Sequence, residues 1–156
     1  YRKSYLHKTL NDETNEDSII NMLPDDLKEV IKPIEKKVGV QIRNNGEDSY
    51  QALPFEEGNY PKLFPLAYDE ISTTTHENVV ADEDSGKGAY QYYKDHPSEE
   101  DRIKRSLDTG SVSDFYWLRS PDTHTDHFAW NVRNTGSIQA QQSYTVEDAI
   151  APAFCI

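Results

Sequence analysis

The residues that could do chemistry are few, and most crowd into the last third of the chain. Asp122, His124, Asp126 and His127 fall within six residues. Imidazole suits zinc and carboxylate suits calcium, so the four could hold a metal ion. They stand on a loop running into a strand, with no Cys and no H-x-x-x-H or EF-hand spacing, which fits an exposed polar loop better. Asp82, Glu83 and Asp84 could also meet calcium, but a solvated charge run is the ordinary reading of such a cluster. Cys155 is the only cysteine. A reactive thiolate needs electropositive, accessible surroundings. Cys155 instead lies in the apolar run 151–156, where it reads as a small buried hydrophobe. His7, His76 and His96 are isolated. No nucleophile elbow, phosphate loop, dinucleotide fingerprint, H-E-x-x-H or paired-Cys signature occurs. The expected sets of catalytic residues, metal ligands and cofactors are therefore empty.

Arg119 is expected to be structural. A strand arginine beside Trp117 needs a carboxylate if it is buried, and Glu70 is the candidate. The polar middle, Asp122 to Thr145, is more informative as a set. It contains no Lys and no Glu, although the rest of the chain is rich in both. Recognition surfaces deplete these two and favour Tyr, Ser, Asn and Trp. An ordinary exposed sheet disfavours them as well, through β-propensity. The binding alternative makes His124, Asp126, His127, Asn131, Arg133, Asn134, Gln139, Gln141 and Tyr144 the contact face. Tyr144 would supply area, the amides hydrogen bonds and Arg133 a charge anchor. These side chains should then be exposed together. Trp117, Arg119, Trp130 and Phe154 are assigned to the scaffold.

The elements that must position these residues follow from periodicity. Phe128, Trp130 and Val132 alternate with polar or small residues as in a half-buried strand. Asn134-Thr135-Gly136 marks a turn, and Ile138 and Ala140 alternate in the strand after it. The run 151–156 reads as a short apolar strand whose Pro152 belongs at an edge, a bulge or the strand start. Upstream, short helices are expected over Tyr1–Asn11 with Ser4 as cap, after Asn15–Ser18, and after Pro24 until Pro33. Val38, Val40 and Ile42 alternate as a strand. Arg43 to Pro61 reads as loop. Leu63, Phe64 and Leu66 form a short buried strand, and Ala67–Ser72 a helical turn or two. Residues 73–88 are polar and acidic and are expected to form a mobile loop. Ala89–His96 and Ser98–Leu107 read as short helices, the second with acids in its first turn.

The 156 residues suit one domain, which can bury a core without staples. The net charge of −12 argues against nucleic acid and against an anionic membrane surface as partners. A single Cys forbids an internal disulfide. No run is long enough to insert into a membrane, and no signal peptide is present. The chain opens on Tyr1 rather than Met, so a targeting segment or anchor would lie outside it.

Tyr116-Trp117-Leu118-Arg119-Ser120-Pro121, the Val132-to-Gly136 segment and the Pro152-Ala153-Phe154 ending resemble a bacterial domain family of unknown function found in gut Firmicutes and their phages. Its usual pattern is W-L-R-S-P, a variable polar middle, then G-V-R-P-A-F/L. Here Asp148 to Ala151 replace the usual Gly and Arg. Ser4 to Asn11 resembles the family's S-x-L-R-x-x-L-N, with His7 at its Arg. Lys62 to Ile71 resembles its K-L-F-L-L-S-x-E-E. The matches come in family order and span most of the chain. The family is similar to C-type-lectin-like domains of the formylglycine-generating-enzyme branch. The resemblance implies an α+β, C-type-lectin-like fold over 1–156, with short helices in the first two thirds and a small twisted antiparallel sheet in the C-terminal third. It also implies the loss of one or two N-terminal strands, which would leave Ala151–Ile156 without its usual neighbour. By function it implies a non-enzymatic module of a bacterial cell-surface or phage protein, outside the cell, binding a protein or glycan on a host or neighbouring cell. Some relatives of this architecture are diversified in their C-terminal region by retroelements, so a retroelement-diversified variable protein is one form of this expectation. The competing expectations are an enzyme of the formylglycine-generating branch, which would need Cys155 in a cleft with a base or metal, and a structural display module without a ligand.

Overall fold

A computed structural model describes residues 5–44, 47–54, 60–80, 88–105, 110–111, 115–124, 127–143 and 148–156. Among these the chain is mixed α/β, with short helices and small antiparallel sheets. Three helices come first: α1 (Tyr5–Asn11), α2 (Ile19–Met22) and α3 (Asp25–Val30). Leu10, Ile20 and Ile31 from this region meet Leu63 in a small core, flanked by Leu6, Leu23 and Leu27. The i, i+4 spacing of Leu6 and Leu10 puts both on one face of α1. Asn11 ties this layer to the next. Its Oδ1 accepts the Lys62 and Leu63 backbone N–H groups at 3.0 and 2.8 Å, and its Nδ2 donates to Leu63 O at 2.8 Å. Ser4, expected as the cap of α1, lies outside the described residues.

A hairpin follows: β1 (Lys37–Asn44) and β2 (Glu47–Pro54) pair antiparallel, Asn44 opposite Glu47. The expectation of a loop over Arg43–Pro61 is corrected here. Asn45-Gly46 stands between the paired ends, the spacing and residue types of a two-residue hairpin connection. Then come β3 (Phe64–Pro65), α4 (Tyr68–Ile71) and α5 (Gln91–Asp95). The helix expected over Ser98–Leu107 shrinks to one 3-10 turn, Glu100–Arg102, with Ile103 already extended. Ser98 does not cap it; its hydroxyl donates to Asp101 Oδ2 at 2.6 Å.

The terminal sheet contains β4 (Tyr116–Pro121), β5 (Phe128–Val132) and β6 (Ile138–Gln142), in the order β4-β5-β6. Its inner face carries Tyr116, Leu118, Trp130 and Val132 into the main core with Tyr68, Ile71, Ala89 and Tyr93. The Tyr116 hydroxyl, buried there, donates to Arg102 O at 2.7 Å. The turn between β5 and β6 was legible from the sequence. Gly136 N–H donates to Arg133 O, and Arg133 N–H to Ser137 O, both at 2.9 Å. Gly136 takes φ +87°. That is a three-residue loop closed by a glycine in the left-handed region.

The last strand, β7 (Pro152–Ala153), pairs with β3, and Cys155 bridges Lys32. The neighbours of Ala151–Ile156 are thus β3 and Lys32. Pro152 is the first residue of its strand, where its missing N–H costs no ladder bond. Of the segment 73–88, residues 81–87 lie outside the described residues. Residues 73–80 pack back on the terminal sheet: Val79 bridges Asp122, Asn78 O accepts Thr123 N–H at 2.9 Å, and Val80 is buried.

The stretch 62–71 is the hub of this arrangement. Asn11, Arg119, Ser120 and β7 all bond to it. Ser120 Oγ accepts Tyr68 N–H at 2.8 Å, and Arg119 N–H donates to Leu66 O at 3.0 Å.

Candidate functional site

Two polar assemblies stand out, and only one is open to solvent. The closed one is the expected Arg119–Glu70 pair, which the structure contains and enlarges. Glu70 is 0% exposed and Arg119 3%. Glu70 Oε2 accepts Arg119 Nη1 and, at 2.7 Å, the Ala67 N–H at the start of α4. Its Oε1 accepts Lys36 Nζ at 2.7 Å and the Tyr90 hydroxyl at 2.8 Å. Lys36 also donates to the Tyr90 oxygen at 2.5 Å and lies over the Phe64 ring. Arg119 further donates to Lys37 O and Pro65 O, both at 2.9 Å. Burial alone would raise the Glu70 pKa, but Arg119 and Lys36 together outweigh it and hold the carboxyl at about 2. Both carboxylate oxygens are occupied, and the side chain has no exposed surface. This assembly clamps the helices, the β1 strand and the terminal sheet together. Burial, Glu70 and Lys36 act together on the Tyr90 phenol, and the net effect raises its pKa.

The open assembly is the face of β4-β5-β6 turned away from the core. Register sets it. Trp117 stands opposite Asn131, and Asn131 opposite Gln139, one row across three strands. Gln141, opposite Ala129, belongs to the next row. Tyr116, Val132 and Ile138 form the neighbouring row on the other face, because successive side chains alternate. Asn131 Nδ2 donates to Gln141 Oε1 at 2.7 Å and to Asp148 Oδ2 at 2.6 Å, and Gln139 Nε2 donates to Gln141 Oε1 at 3.0 Å. Asp148 is brought there by Ala149, which bridges Tyr116 on the free side of β4. Asn131 Oδ1 is buried and accepts no hydrogen bond.

The residues expected to form one contact face divide into groups. Gln139 and Gln141 are half-buried on this face. Asn131 is there too, but it is 0% exposed. Its expected role as an exposed contact is corrected: the Gln141 and Asp148 bonds draw the short amide into the sheet. Arg133 and Asn134 are exposed on the turn at one end of β5, with the Arg133 guanidinium 5.8 Å from the Phe115 ring centre. His124 is exposed and His127 half-buried near the opposite end. The backbone N–H of His124 donates to Asp122 Oδ1 at 2.7 Å, which folds the loop back on itself. Asp126 and Tyr144 lie outside the described residues. Among the scaffold residues, Arg119 and Trp130 are buried, Trp117 is half-buried and Phe154 is 41% exposed. Phe154 follows the two-residue strand β7 at the chain end.

Sequence reasoning missed two members of the open face. Trp117 had a usable signal, since it alternates with Tyr116 and Leu118 and so takes the opposite face. Asp148 had none, because only the bridge at Ala149 brings it near Asn131. Cys155 is half-buried rather than enclosed, and its carbonyl accepts Lys32 N–H at 2.9 Å. Among the described residues, no three His, Cys, Asp or Glu side chains come together as metal ligands would. No helix among them is long and apolar enough to cross a membrane.

No curated protein and no solved structure matches the chain. A family model matches it from end to end, and over residues 1–156 the chain belongs to the family described as domain of unknown function DUF6273.

Proposed function

We propose that the chain is a non-enzymatic ligand-binding module, C-type-lectin-like in architecture, of a bacterial surface or phage protein. Its ligand is a protein or glycan outside the cell. One observation carries this reading: Trp117, Gln139 and Gln141 stand half-buried on one sheet face around the buried Asn131 and form its second, non-core surface. An aromatic ring set among fixed amides is recognition chemistry, because area and hydrogen bonds come at low entropy cost. The absence of Lys and Glu from Asp122 to Thr145 points the same way. The contact set becomes Trp117, Gln139 and Gln141, with Arg133 and Asn134 at one rim and His124 and His127 at the other.

The test is retention of the purified chain on arrays of surface proteins and glycans, beside a variant carrying Trp117→Ala, Gln139→Ala and Gln141→Ala. Retention by the chain is expected to fall at least about ten-fold in the variant while its unfolding remains cooperative. Equal retention by both, or none by the parent chain, overturns the proposal.

A further inference from the structure

We infer that the outer edge of β6 pairs with β6 of a second copy of this chain, antiparallel about Gln139, so that the two terminal sheets run on as one. The inference concerns the edge of the sheet and stands whatever its open face binds.

Register defines the edge. Among the described residues, the strand order β4-β5-β6 leaves β6 with a neighbour on one side only. At its two ends, Arg133 N–H donates to Ser137 O and Ser143 N–H to His127 O, both at 2.9 Å. Facing residues of an antiparallel pair alternate between hydrogen-bonded and non-hydrogen-bonded positions. Asn131–Gln139 and Ala129–Gln141 are therefore the bonded pairs. The backbone N–H and C=O groups of Ile138 and Ala140 point the other way, off the sheet. Every residue of β6 keeps part of its surface exposed, so the edge is not enclosed by described residues.

Sheet edges are ordinarily blunted against stray strands by lysine, proline or a bulge. Asn134 to Ser143 has no proline and no charged residue, and the register between β5 and β6 runs without a bulge. In a chain that carries −12, an uncharged strand is where a second copy meets least repulsion.

The strand is also complementary to itself. With Gln139 opposite its own counterpart, Ile138 of each copy stands opposite Ala140 of the other. Each of these residues then supplies the donor and the acceptor that the other needs. Directly opposed side chains share a face, so Ile138 meets Ala140 on the core side and the two Gln139 amides meet on the open side. Gln139 Nε2 gives one proton to Gln141 Oε1 at 3.0 Å and has a second for the Oε1 of its counterpart. The backbone alone would take any extended strand; the amide pair favours this one. The open faces of the two copies then lie side by side in one sheet and are presented together, the arrangement that raises avidity for a repeated ligand.

The contact is small, of the transient class, so a dissociation constant of about 10 µM to 1 mM is expected. Sedimentation of the whole chain across that concentration range should show monomer passing into dimer, more readily at higher salt, which screens the net charge. Ala140→Pro removes an outward N–H and no bond to β5, so it should stay monomeric with Tm near the parent's. Gln139→Lys sets like charges opposite each other and should weaken the dimer about five-fold or more. Met22→Lys adds the same charge on an exposed position of α2 and should dimerise as the parent does. Amide exchange needs no variant, and decides together with Gln139→Lys should Ala140→Pro not fold. The Ile138 and Ala140 amides should be protected at high concentration only, whereas Gln139 and Gln141, bonded to β5, should be protected at every concentration. A monomer throughout overturns the inference, and protected Ile138 and Ala140 amides in that monomer would assign the edge to another part of the same chain. A dimer that both Ala140→Pro and Gln139→Lys leave intact also overturns it, because a different surface then pairs.

Discussion

Glu70→Gln is expected to destabilise the chain by about 3–5 kcal/mol, lowering Tm by about 10 °C or more. The substitution keeps size and shape, removes the charge and puts an NH2 donor where one oxygen accepted two hydrogen bonds. Arg119 and Lys36 would then each lose the carboxylate they are paired with and face a neutral amide. Removing one partner of such a pair costs far more than the pair contributes against an apolar replacement. Tyr90→Phe is the matched control. It deletes one hydroxyl that donates to Glu70 Oε1, and about 1 kcal/mol is expected. Denaturant unfolding of both variants checks the ratio. Equal, small effects would show that Glu70 is not the keystone.

The same carboxylate sets an acid limit. Its folded pKa is about 2, depressed from an ordinary value of 4.5. The contribution is fully present above the ordinary value and is lost as pH falls from there through about 2. Stability of the parent chain should therefore fall across that window. Glu70→Gln should fall less steeply across it.

Gly136→Ala is the second large effect expected, at about 3 kcal/mol or more. Two costs add. At φ +87° any side chain is strained, by about 1–2 kcal/mol. A Cβ there would also stand 1.7 Å from the Glu99 carbonyl oxygen and 2.4 Å from its carbon. Backbone cannot turn aside as a side-chain tip can, so the hairpin or the 3-10 turn must move. That movement would strain the 2.9 Å bond from Arg102 Nε to Gly136 O. Gly110→Ala isolates the first cost, since φ is +63° there and nothing lies within 4 Å of a new Cβ. About 1 kcal/mol is expected for it. Thermal unfolding of the two variants side by side measures the difference, and matching values would refute the close approach.

Gly136 also shows what a sequence can and cannot disclose. The need for positive φ was legible in Asn134-Thr135-Gly136. The contact with Glu99 was not, because it joins segments far apart in the chain. Arg119 and Glu70 divide the same way. A buried arginine must find a carboxylate, so the pair could be named in advance. Lys36 and Tyr90 carry no local sign of burial and enter only through the fold. The hairpin β1-β2 was overlooked although Asn45-Gly46 is a strong turn signal, because Glu47-Asp48-Ser49 are weak strand formers that read as loop. The contact face was misjudged at Asn131 because strict alternation predicts a direction, not an exposure. What covers that amide comes from Asp148, seventeen residues on. The segments 5–11, 62–71, 116–121 and 152–154 meet around the stretch from Lys62 to Glu70. They specify the scaffold and say little about what the remaining surface meets.

The account therefore separates a scaffold clamped around Glu70 from a face that folding does not dictate. The most direct measurement is a pair of libraries sorted for protease-resistant folded chain. One randomises Trp117, Arg133, Asn134, Gln139 and Gln141. The other randomises Lys36, Glu70, Arg119 and Gly136. The account predicts that folded members of the first accept most residue types at every position, Lys and Glu included, while the second returns the parent residues almost alone. A first library as restricted as the second would contradict it, because the face would then be fixed by packing and not by what it binds.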